Sequence, residues 1–152
     1  MMIGSLFISC RQTSRRNIFI RSLTDSTSVV YHEFDGQLLD TMLLPWPVYA
    51  FDTADLTGNG LPEIVVGVTK ATRYWQAPAR RLFIYKLFDG RYIRPLWLGS
   101  RVGGPLHDFH ICHDSIPARI ITTEEDRNGS LVNVQYRMGG FGIKYEKYLN
   151  KL

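Results

Sequence analysis

The feature that most constrains this chain is a strand-turn-strand pattern that returns at a nearly constant interval. The first copy centres on Phe34-Asp35-Gly36, and the second centres on Phe88-Asp89-Gly90, 54 residues further on. A more divergent third copy, with Gly139-Gly140 at its centre, follows 50 residues after the second. Asp-Gly and Gly-Gly supply the residues that a tight primed hairpin turn requires, so each copy predicts two antiparallel strands.

The segments between these turns have the residue pattern of β-strands, and no segment carries a helical stripe. The predicted strands form a partial unit of three, at 18–22, 29–34 and 38–43, and two units of four, at 48–51, 63–68, 82–88 and 92–98, then at 108–111, 119–123, 131–138 and 141–148. Residues 71–80, which contain Tyr74, Trp75 and Pro78, are predicted to form a long loop within the middle unit. The sequence therefore predicts an all-β fold.

Two local patterns place particular side chains. The runs Ile64-Val65-Val66 and Ile120-Ile121 are continuous and apolar, which predicts strands that are covered on both faces. Glu124, Glu125 and Asp126 precede Asn128-Gly129, which predicts a charged hairpin tip.

A polar, glycine-rich loop precedes the second strand of the middle unit. Asp55, Thr57, Asn59 and Glu63 place side-chain oxygens at positions one, three, five and nine, and the carbonyl of Leu61 falls at position seven. Alternate spacing of this kind aims several oxygens at one hard cation, so these five residues are the predicted ligands of a Ca²⁺ ion. Asp, Thr and Asn also form side-chain-to-backbone turns unaided, and a turn that needs no ion is the alternative.

Residues 55–67 resemble the FG-GAP and VCBS repeats of β-propeller proteins, in which an acidic, glycine-rich loop precedes an apolar strand. Thr57, Asn59 and Glu63 are altered versions of the family's acidic and amide positions. The resemblance implies antiparallel propeller-type blades, about two and a half to three of them, in units near 17–45, 46–100 and 101–152. Propellers typically have roughly four to eight blades, so an open or incomplete propeller is expected. Self-association with a second copy is the alternative way to complete a ring.

The N-terminus resembles the signal of a bacterial lipoprotein. Residues 1–9 are apolar apart from Gly and Ser, and Leu6-Phe7-Ile8-Ser9 precedes Cys10 in the manner of a lipobox, whose cysteine is acylated after signal cleavage. The resemblance implies that residues 1–16 are a signal and tether and that Cys10 carries the lipid. It also implies a lipid-anchored protein of the bacterial cell envelope, periplasmic or at the outer-membrane surface. A buried N-terminal strand with an ordinary Cys10 is the alternative.

The net charge of +4 does not indicate a nucleic-acid partner. Arg11, Arg15 and Arg16 lie within the first 16 residues, which contain no acidic side chain, so the remainder of the chain carries only +1. The basic residues are therefore predicted to belong to a tail, and no basic stripe on a folded face is expected.

The densest group of reactive side chains is the segment 107–114, which reads His-Asp-Phe-His-Ile-Cys-His-Asp. On a strand, Asp108, His110, Cys112 and Asp114 would share one face. Neighbours on one strand face point in parallel, whereas a tetrahedral metal site needs a ligand from elsewhere, so we predict hydrogen-bonded or solvated residues and no enzyme. A small envelope hydrolase or lyase that uses this segment is the alternative.

Aromatic side chains suggest a binding function. Tyr74 and Trp75 would form a flat platform for a glycan or a protein segment, because aromatic rings give a large contact area at little entropic cost. Trp97 lies inside a predicted strand and is expected to belong to the core. The chain is therefore predicted to be a non-enzymatic module with a binding or scaffolding role.

Overall fold

The computed structural model describes residues 14–73, 75–99 and 102–151, and of Trp75 and Lys151 it describes the backbone alone. Within these ranges the chain forms eleven antiparallel strands in three sheets. The described part of the chain contains no helix, so it offers none that could cross a membrane. The all-β prediction is confirmed, and each predicted strand has a counterpart.

Each sheet is a meander of strands that are consecutive in the chain. The first sheet has the order β1-β2-β3, with β1 Arg16–Thr24, β2 Thr27–Phe34 and β3 Gln37–Leu44. The second has the order β4-β5-β6-β7, with β4 Val48–Ala54, β5 Glu63–Thr72, β6 Trp75–Phe88 and β7 Tyr92–Gly99. The third has the order β11-β10-β9-β8, with β8 Leu106–Cys112, β9 Arg119–Glu125, β10 Leu131–Gly139 and β11 Gly142–Lys151.

The repeated turns close the last hairpin of each sheet. Asp35 and Gly36 have φ values of 49° and 79°, and Asp89 and Gly90 have values of 52° and 63°. These are the left-handed conformations that primed turns require, and Asp and Gly tolerate them better than most residues do. The third copy joins β10 to β11, and here Gly139 pairs with Gly142. The prediction of two antiparallel strands for each copy is confirmed.

The prediction of a loop over residues 71–80 is wrong. β5 continues to Thr72 and β6 begins at Trp75, and these two residues pair at the end of a long hairpin. Pro78 has no N–H group with which to join a second neighbour, but β7 pairs with β6 only from Leu82 onwards. Among the described residues, no strand pairs with β6 on the side opposite β5 at this point, so the strand can extend through the proline.

The middle sheet has an apolar core on each of its faces. Val65 and Ile84 belong to the core shared with the third sheet, whereas their neighbours Val66 and Phe83 belong to the core shared with the first sheet. Side chains alternate between the faces of a strand, so a strand buried on both sides needs an unbroken apolar run. The prediction that the run 64–66 is covered on both faces is confirmed.

The two outermost sheet faces differ in character. On the first sheet Phe19 stacks on Tyr31, with ring centroids 5.1 Å apart. On the third sheet Arg119 and Gln135 donate hydrogen bonds of 2.9 and 2.8 Å to Glu146. The hydrogen bond from Gln135, followed by Arg119, lowers the pKa of Glu146 below its ordinary value. The stack therefore ends in aromatic side chains at one end and in a charged network at the other.

Arg16 is part of the fold, and the prediction that it belongs to a tail is wrong. It is the first residue of β1, and its Nη1 donates to His32 Nε2 at 2.5 Å and to the carbonyl of Gly90 at 2.8 Å. His32 is fully buried, and its Nδ1 donates to the carbonyl of Arg91 at 2.8 Å. These bonds join the first sheet to the turn between β6 and β7.

Candidate functional site

Two carboxylates hold the loop between β4 and β5 closed. Asp55 accepts hydrogen bonds of 2.6 to 3.2 Å from the backbone N–H groups of residues 58–60. Glu63 Oε2 accepts from the backbone N–H groups of Leu56 and Thr57 at 2.7 and 3.2 Å. The loop therefore satisfies its own backbone donors, as buried or constrained polar groups must.

Glu63 anchors this loop at the start of β5. Its side chain is only 2% exposed, and its second oxygen accepts from Thr57 Oγ1 at 3.2 Å. Burial raises the pKa of Glu63, because a charged carboxylate loses its hydration, and the bonds from Leu56 and Thr57 oppose this effect. The sequence pattern identified Glu63 as a ligand position, whereas here the residue acts as a cap for backbone amides.

The predicted Ca²⁺ ligands lie together, but their oxygens face the loop itself. Asn59 Oδ1 accepts from the backbone N–H of Leu61 at 2.9 Å, in addition to the bonds of Asp55, Thr57 and Glu63. Over the described ranges, no group of three or more His, Cys, Asp or Glu side chains could hold a metal ion. An ion at this loop would have to displace backbone hydrogen bonds, and Ca²⁺ binding stays a prediction.

The reactive side chains of the segment 107–114 are distributed along β8 and beyond its end. His107 pairs with Glu125 through a contact of 2.8 Å. His113 lies past the end of the strand and pairs with Asp52 at 3.0 Å. Each of these two histidines thus has a carboxylate from a different strand, which fits the prediction of hydrogen-bonded strand residues better than a shared reactive centre.

Two predicted sites fall outside what the structure describes. Cys10, the predicted lipid attachment site, lies in the first 13 residues, and Tyr74 of the predicted aromatic platform is likewise outside the described residues. Of Trp75 only the backbone is described, at the start of β6. Lipidation and the platform therefore stay predictions.

A crevice of about 1020 Å³ opens between the second and third sheets. Aromatic rings line it, from Trp97 on β7 and from Tyr136, Tyr145 and Tyr148 on β10 and β11. Tyr136 and Tyr145 have ring centroids 6.4 Å apart, and Tyr145 and Tyr148 have centroids 5.4 Å apart. Tyr145 and Tyr148 are 54% and 67% exposed, so the outer part of this row of rings faces water.

A buried hydrogen-bond network supports the inner part of the crevice. Glu124, only 2% exposed, accepts from the backbone N–H of Gly104 at 2.6 Å, from Tyr136 Oη at 2.8 Å and from Thr122 Oγ1. Tyr136 Oη also accepts from the backbone N–H of Gly103 at 3.1 Å. Burial raises the pKa of Tyr136, so its hydroxyl keeps the proton that it donates. The network fixes the loop before β8 to the third sheet.

The structure corrects the prediction for Glu124, and the three residues that follow it line the crevice. The prediction that Glu124 belongs to a charged hairpin tip is wrong, because Glu124 lies within β9 and the alternation of this strand turns its side chain inward. Asp126 does lie in the turn, where its Oδ1 accepts from the N–H groups of residues 128 and 130 at 2.8 and 3.0 Å. Glu125 and Arg127 line the crevice beside it.

Sequence reasoning did not identify this crevice, because its walls come from segments far apart in the chain. Trp97 was expected in the core, and it does pack against the core of the second and third sheets while also lining the crevice. A Cβ atom at Gly142 would lie 2.7 Å from the Trp97 ring, so β11 approaches this ring closely because it begins with glycine. The alternation of β10 was the available signal, but alternation does not reveal which part of an apolar face remains uncovered.

The chain matches no protein-family model and no curated protein. The resemblance to FG-GAP and VCBS repeats therefore depends on residues 55–67 and on the internal repeat. Chemically, the crevice combines exposed aromatic rings with carboxylates that are fixed in place. Such an arrangement can bind a ligand through ring contacts and polar contacts together.

Proposed function

We propose that this chain is a non-enzymatic binding module and that the crevice between the second and third sheets is its ligand site. The observation that carries the proposal is the exposure of Tyr145 and Tyr148 in a row of rings that begins at the buried Tyr136. Aromatic residues are enriched in protein interfaces, and clustered exposed apolar surface marks interaction sites. This site takes the place of the platform predicted at Tyr74 and Trp75 as the best-supported binding surface.

The rigidity of the crevice supports the same function. Glu124 holds Tyr136 and the loop at Gly104 by hydrogen bonds, and Gly142 lets Trp97 pack against the start of β11. A site that is fixed before binding loses less conformational entropy when its ligand arrives. The ligand itself is a protein segment or a glycan, since both present groups that pack on aromatic rings.

The fold proposal is an incomplete propeller of FG-GAP or VCBS type. Its support is the meander order of all three sheets, the Asp-Gly turns at 35–36 and 89–90, and the glycine-rich loop that leads into β5. In this proposal the second and third sheets are whole blades and the first sheet is a partial blade. Association with a second copy would add further blades.

The proposed location is the bacterial cell envelope, with a lipid anchor on Cys10. Its support is the apolar segment 1–9 and the lipobox-like residues before the cysteine. Mass spectrometry of protein extracted from membranes, after expression with its natural upstream sequence, is expected to find an acylated Cys10 as the first residue. An unmodified cysteine would contradict the anchor and leave the crevice proposal intact.

Binding is tested with the wild type and a Tyr148→Ala variant on arrays of short peptides and glycans. We expect the wild type to bind a defined subset and the variant to lose that binding, because the exposed ring is removed. Tyr92→Ala is the matched control, since Tyr92 is an exposed tyrosine on β7 that is not among the residues lining the crevice. Equal binding by wild type and Tyr148→Ala would contradict the proposal, and cleavage of bound ligands would favour the hydrolase alternative.

A further inference from the structure

We propose that the crevice recognises the cationic side chains of lysine or arginine in an extended segment of a partner protein. This inference rests on the proposed function, because it names the ligand class of the same site. It depends on three features of the crevice: the charge of its lining, the nature of its rings and their spacing.

The charge of the lining is opposite to that of the whole chain. The described residues that line the crevice include three carboxylates and one guanidinium, of Glu124, Glu125, Asp126 and Arg127, whereas the chain carries +4. The donors to Glu124 are a backbone N–H group and two hydroxyl groups. These donors are neutral, so they satisfy the hydrogen-bonding capacity of Glu124 without a counter-charge. Glu125 is paired with His107 at 2.8 Å, and the lining still carries more negative than positive charge. A neutral ligand would gain little from this charge, but a cation would gain directly.

The rings of the crevice are suited to the same kind of ligand. Tyr145 and Tyr148 present exposed aromatic surface in the same crevice as the carboxylates. The face of an aromatic ring carries negative electrostatic potential and attracts ammonium and guanidinium groups, an attraction that strengthens when the cation is partly removed from water. The crevice provides partial removal from water, because its inner wall includes the buried side chains of Val132, Val134 and Tyr136.

The spacing of the rings fits an extended chain. The centroids of Tyr136, Tyr145 and Tyr148 follow one another at 6.4 and 5.4 Å. In an extended peptide the side chains on one face are about 6.6 Å apart, because each residue advances about 3.3 Å. Two alternate side chains of such a segment could therefore contact Tyr145 and Tyr148, the two exposed rings, while the segment lies along the crevice.

The test compares two blocked pentapeptides, Ser-Arg-Ser-Arg-Ser and Ser-Gln-Ser-Gln-Ser, and a neutral chitohexaose by isothermal titration calorimetry. We expect the arginine peptide to bind at least about tenfold more tightly than the glutamine peptide. The double variant Glu125→Gln and Asp126→Asn, which keeps the shape and removes two charges, should weaken binding about tenfold. Raising the ionic strength to about 0.5 M should also weaken it, because salt screens exposed charges.

Two controls separate a local effect from general charge or misfolding. Glu33→Gln removes a carboxylate from the first sheet, far from the crevice lining, and should leave the affinity unchanged. The melting temperature of each variant should fall by only a few degrees, because amides replace carboxylates without changing volume and the His107–Glu125 pair that is lost lies at the surface.

The outcomes distinguish this inference from the proposed function. Equal affinity for both peptides, or binding of chitohexaose that Tyr148→Ala abolishes and the charge-removing variant does not, would overturn the cationic ligand and keep the binding crevice. If no crevice variant changes the binding of the ligands found on the arrays, both the cationic ligand and the binding function of the crevice would be overturned. Selective binding of the arginine peptide, with an affinity that falls with salt and with loss of the two carboxylates, would support both the cationic ligand and the binding function of the crevice.

Discussion

At the scale of single residues, Glu63 has the clearest structural role. It is almost fully buried and is the acceptor for two backbone N–H groups and one hydroxyl group of the loop after β4. Glu63→Ala leaves these donors without an acceptor and opens a cavity, and we expect it to lower the free energy of unfolding by about 2 to 4 kcal/mol. Glu63→Gln should cost less, because the amide oxygen can still accept. Urea denaturation measures both values.

The control for Glu63 is a carboxylate that supports little. Glu33 makes one long contact of 3.5 Å, with Asn17, and Glu33→Ala should change the free energy of unfolding by no more than about 0.5 kcal/mol. If Glu63→Ala were as mild as Glu33→Ala, the loop would be held by Asp55 and the role assigned to Glu63 would be wrong.

His32 predicts a dependence of stability on pH. Burial lowers the pKa of His32 and Arg16 lowers it further, whereas the bond to Arg91 and the charge of Asp40 raise it. The unfolded chain therefore binds a proton more readily than the folded chain. Stability is fully present above the unfolded pKa of about 6.5 and falls as the pH drops from there toward the lower folded pKa. We expect a lower melting temperature at about pH 5 than at about pH 7.5.

Substitution isolates the contribution of His32 from that of other groups. His32→Gln, which retains polar atoms but does not titrate in this range, should flatten the loss of stability between neutral and acidic pH relative to wild type. His110→Gln is the matched control, because His110 is an exposed histidine on β8. Parallel pH profiles for wild type and His32→Gln would contradict the assignment.

At the scale of elements, the sequence predicted the strands well because their signals are local. The Asp-Gly turns and the alternation along β10 require only neighbouring residues, and each is found where it was predicted. The extension of β5 to Thr72 and of β6 back to Trp75 was missed because Pro78 is tolerated on a strand edge with which β7 does not pair, and where β7 pairs depends on the packed structure. The inward orientation of Glu124 was missed for a similar reason, since its partners come from the loop before β8 and from β10.

The crevice could not be predicted at this scale. Its position depends on how the third sheet packs against β7, and this angle is set by contacts between residues such as Trp97 and Gly142 that are distant in the chain. Residue patterns indicate which face of a strand is apolar, but the extent to which another sheet covers that face is a property of the packed structure.

The loop between β4 and β5 is the element in which the Ca²⁺ prediction is tested. An ion would compete with the backbone bonds of Asp55, so we expect weak binding with a dissociation constant of about 1 mM. Addition of about 10 mM Ca²⁺ would then add about 1.4 kcal/mol of stability, which corresponds to a rise in melting temperature of roughly 3 to 6 °C. Differential scanning calorimetry with and without the ion measures this shift.

Two comparisons decide the origin of any shift. Asp55→Ala should lower the melting temperature without any ion, because three hydrogen bonds from backbone N–H groups are lost. The quantity to compare is therefore the further change in melting temperature on adding Ca²⁺, which should vanish in this variant. Mg²⁺ at the same concentration should have a smaller effect, because it dehydrates reluctantly and demands regular octahedral geometry. Absence of a Ca²⁺-dependent shift in the wild type would leave the metal-free turn as the correct interpretation.

At the scale of the whole molecule, the middle sheet links the other two. Phe83 and Ile84 are neighbours on β6, yet Phe83 packs in the core shared with the first sheet and Ile84 in the core shared with the third. Loss of either outer sheet would therefore expose one complete apolar face of the middle sheet to water, at a cost of roughly 25 cal/mol for each Å². This coupling predicts that the three sheets unfold as one unit.

Tryptophan fluorescence can test this cooperativity from both cores. Trp46 packs against Phe83, with ring centroids 5.8 Å apart, and reports on the core shared with the first sheet. Trp97 packs against the core shared with the third sheet. We expect Ile84→Ala to lower the free energy of unfolding by about 2 to 5 kcal/mol and Phe83→Ala by about 3 to 5 kcal/mol. Ile84→Ala and Phe83→Ala are each compared in two variants, one with Trp46 and one with Trp97 as the fluorescent reporter. Either substitution should shift the unfolding midpoints seen by both reporters together, because β5 and β6 contribute to both cores. A substitution that moved the reporter of its own core alone would show that the outer sheets unfold independently of each other.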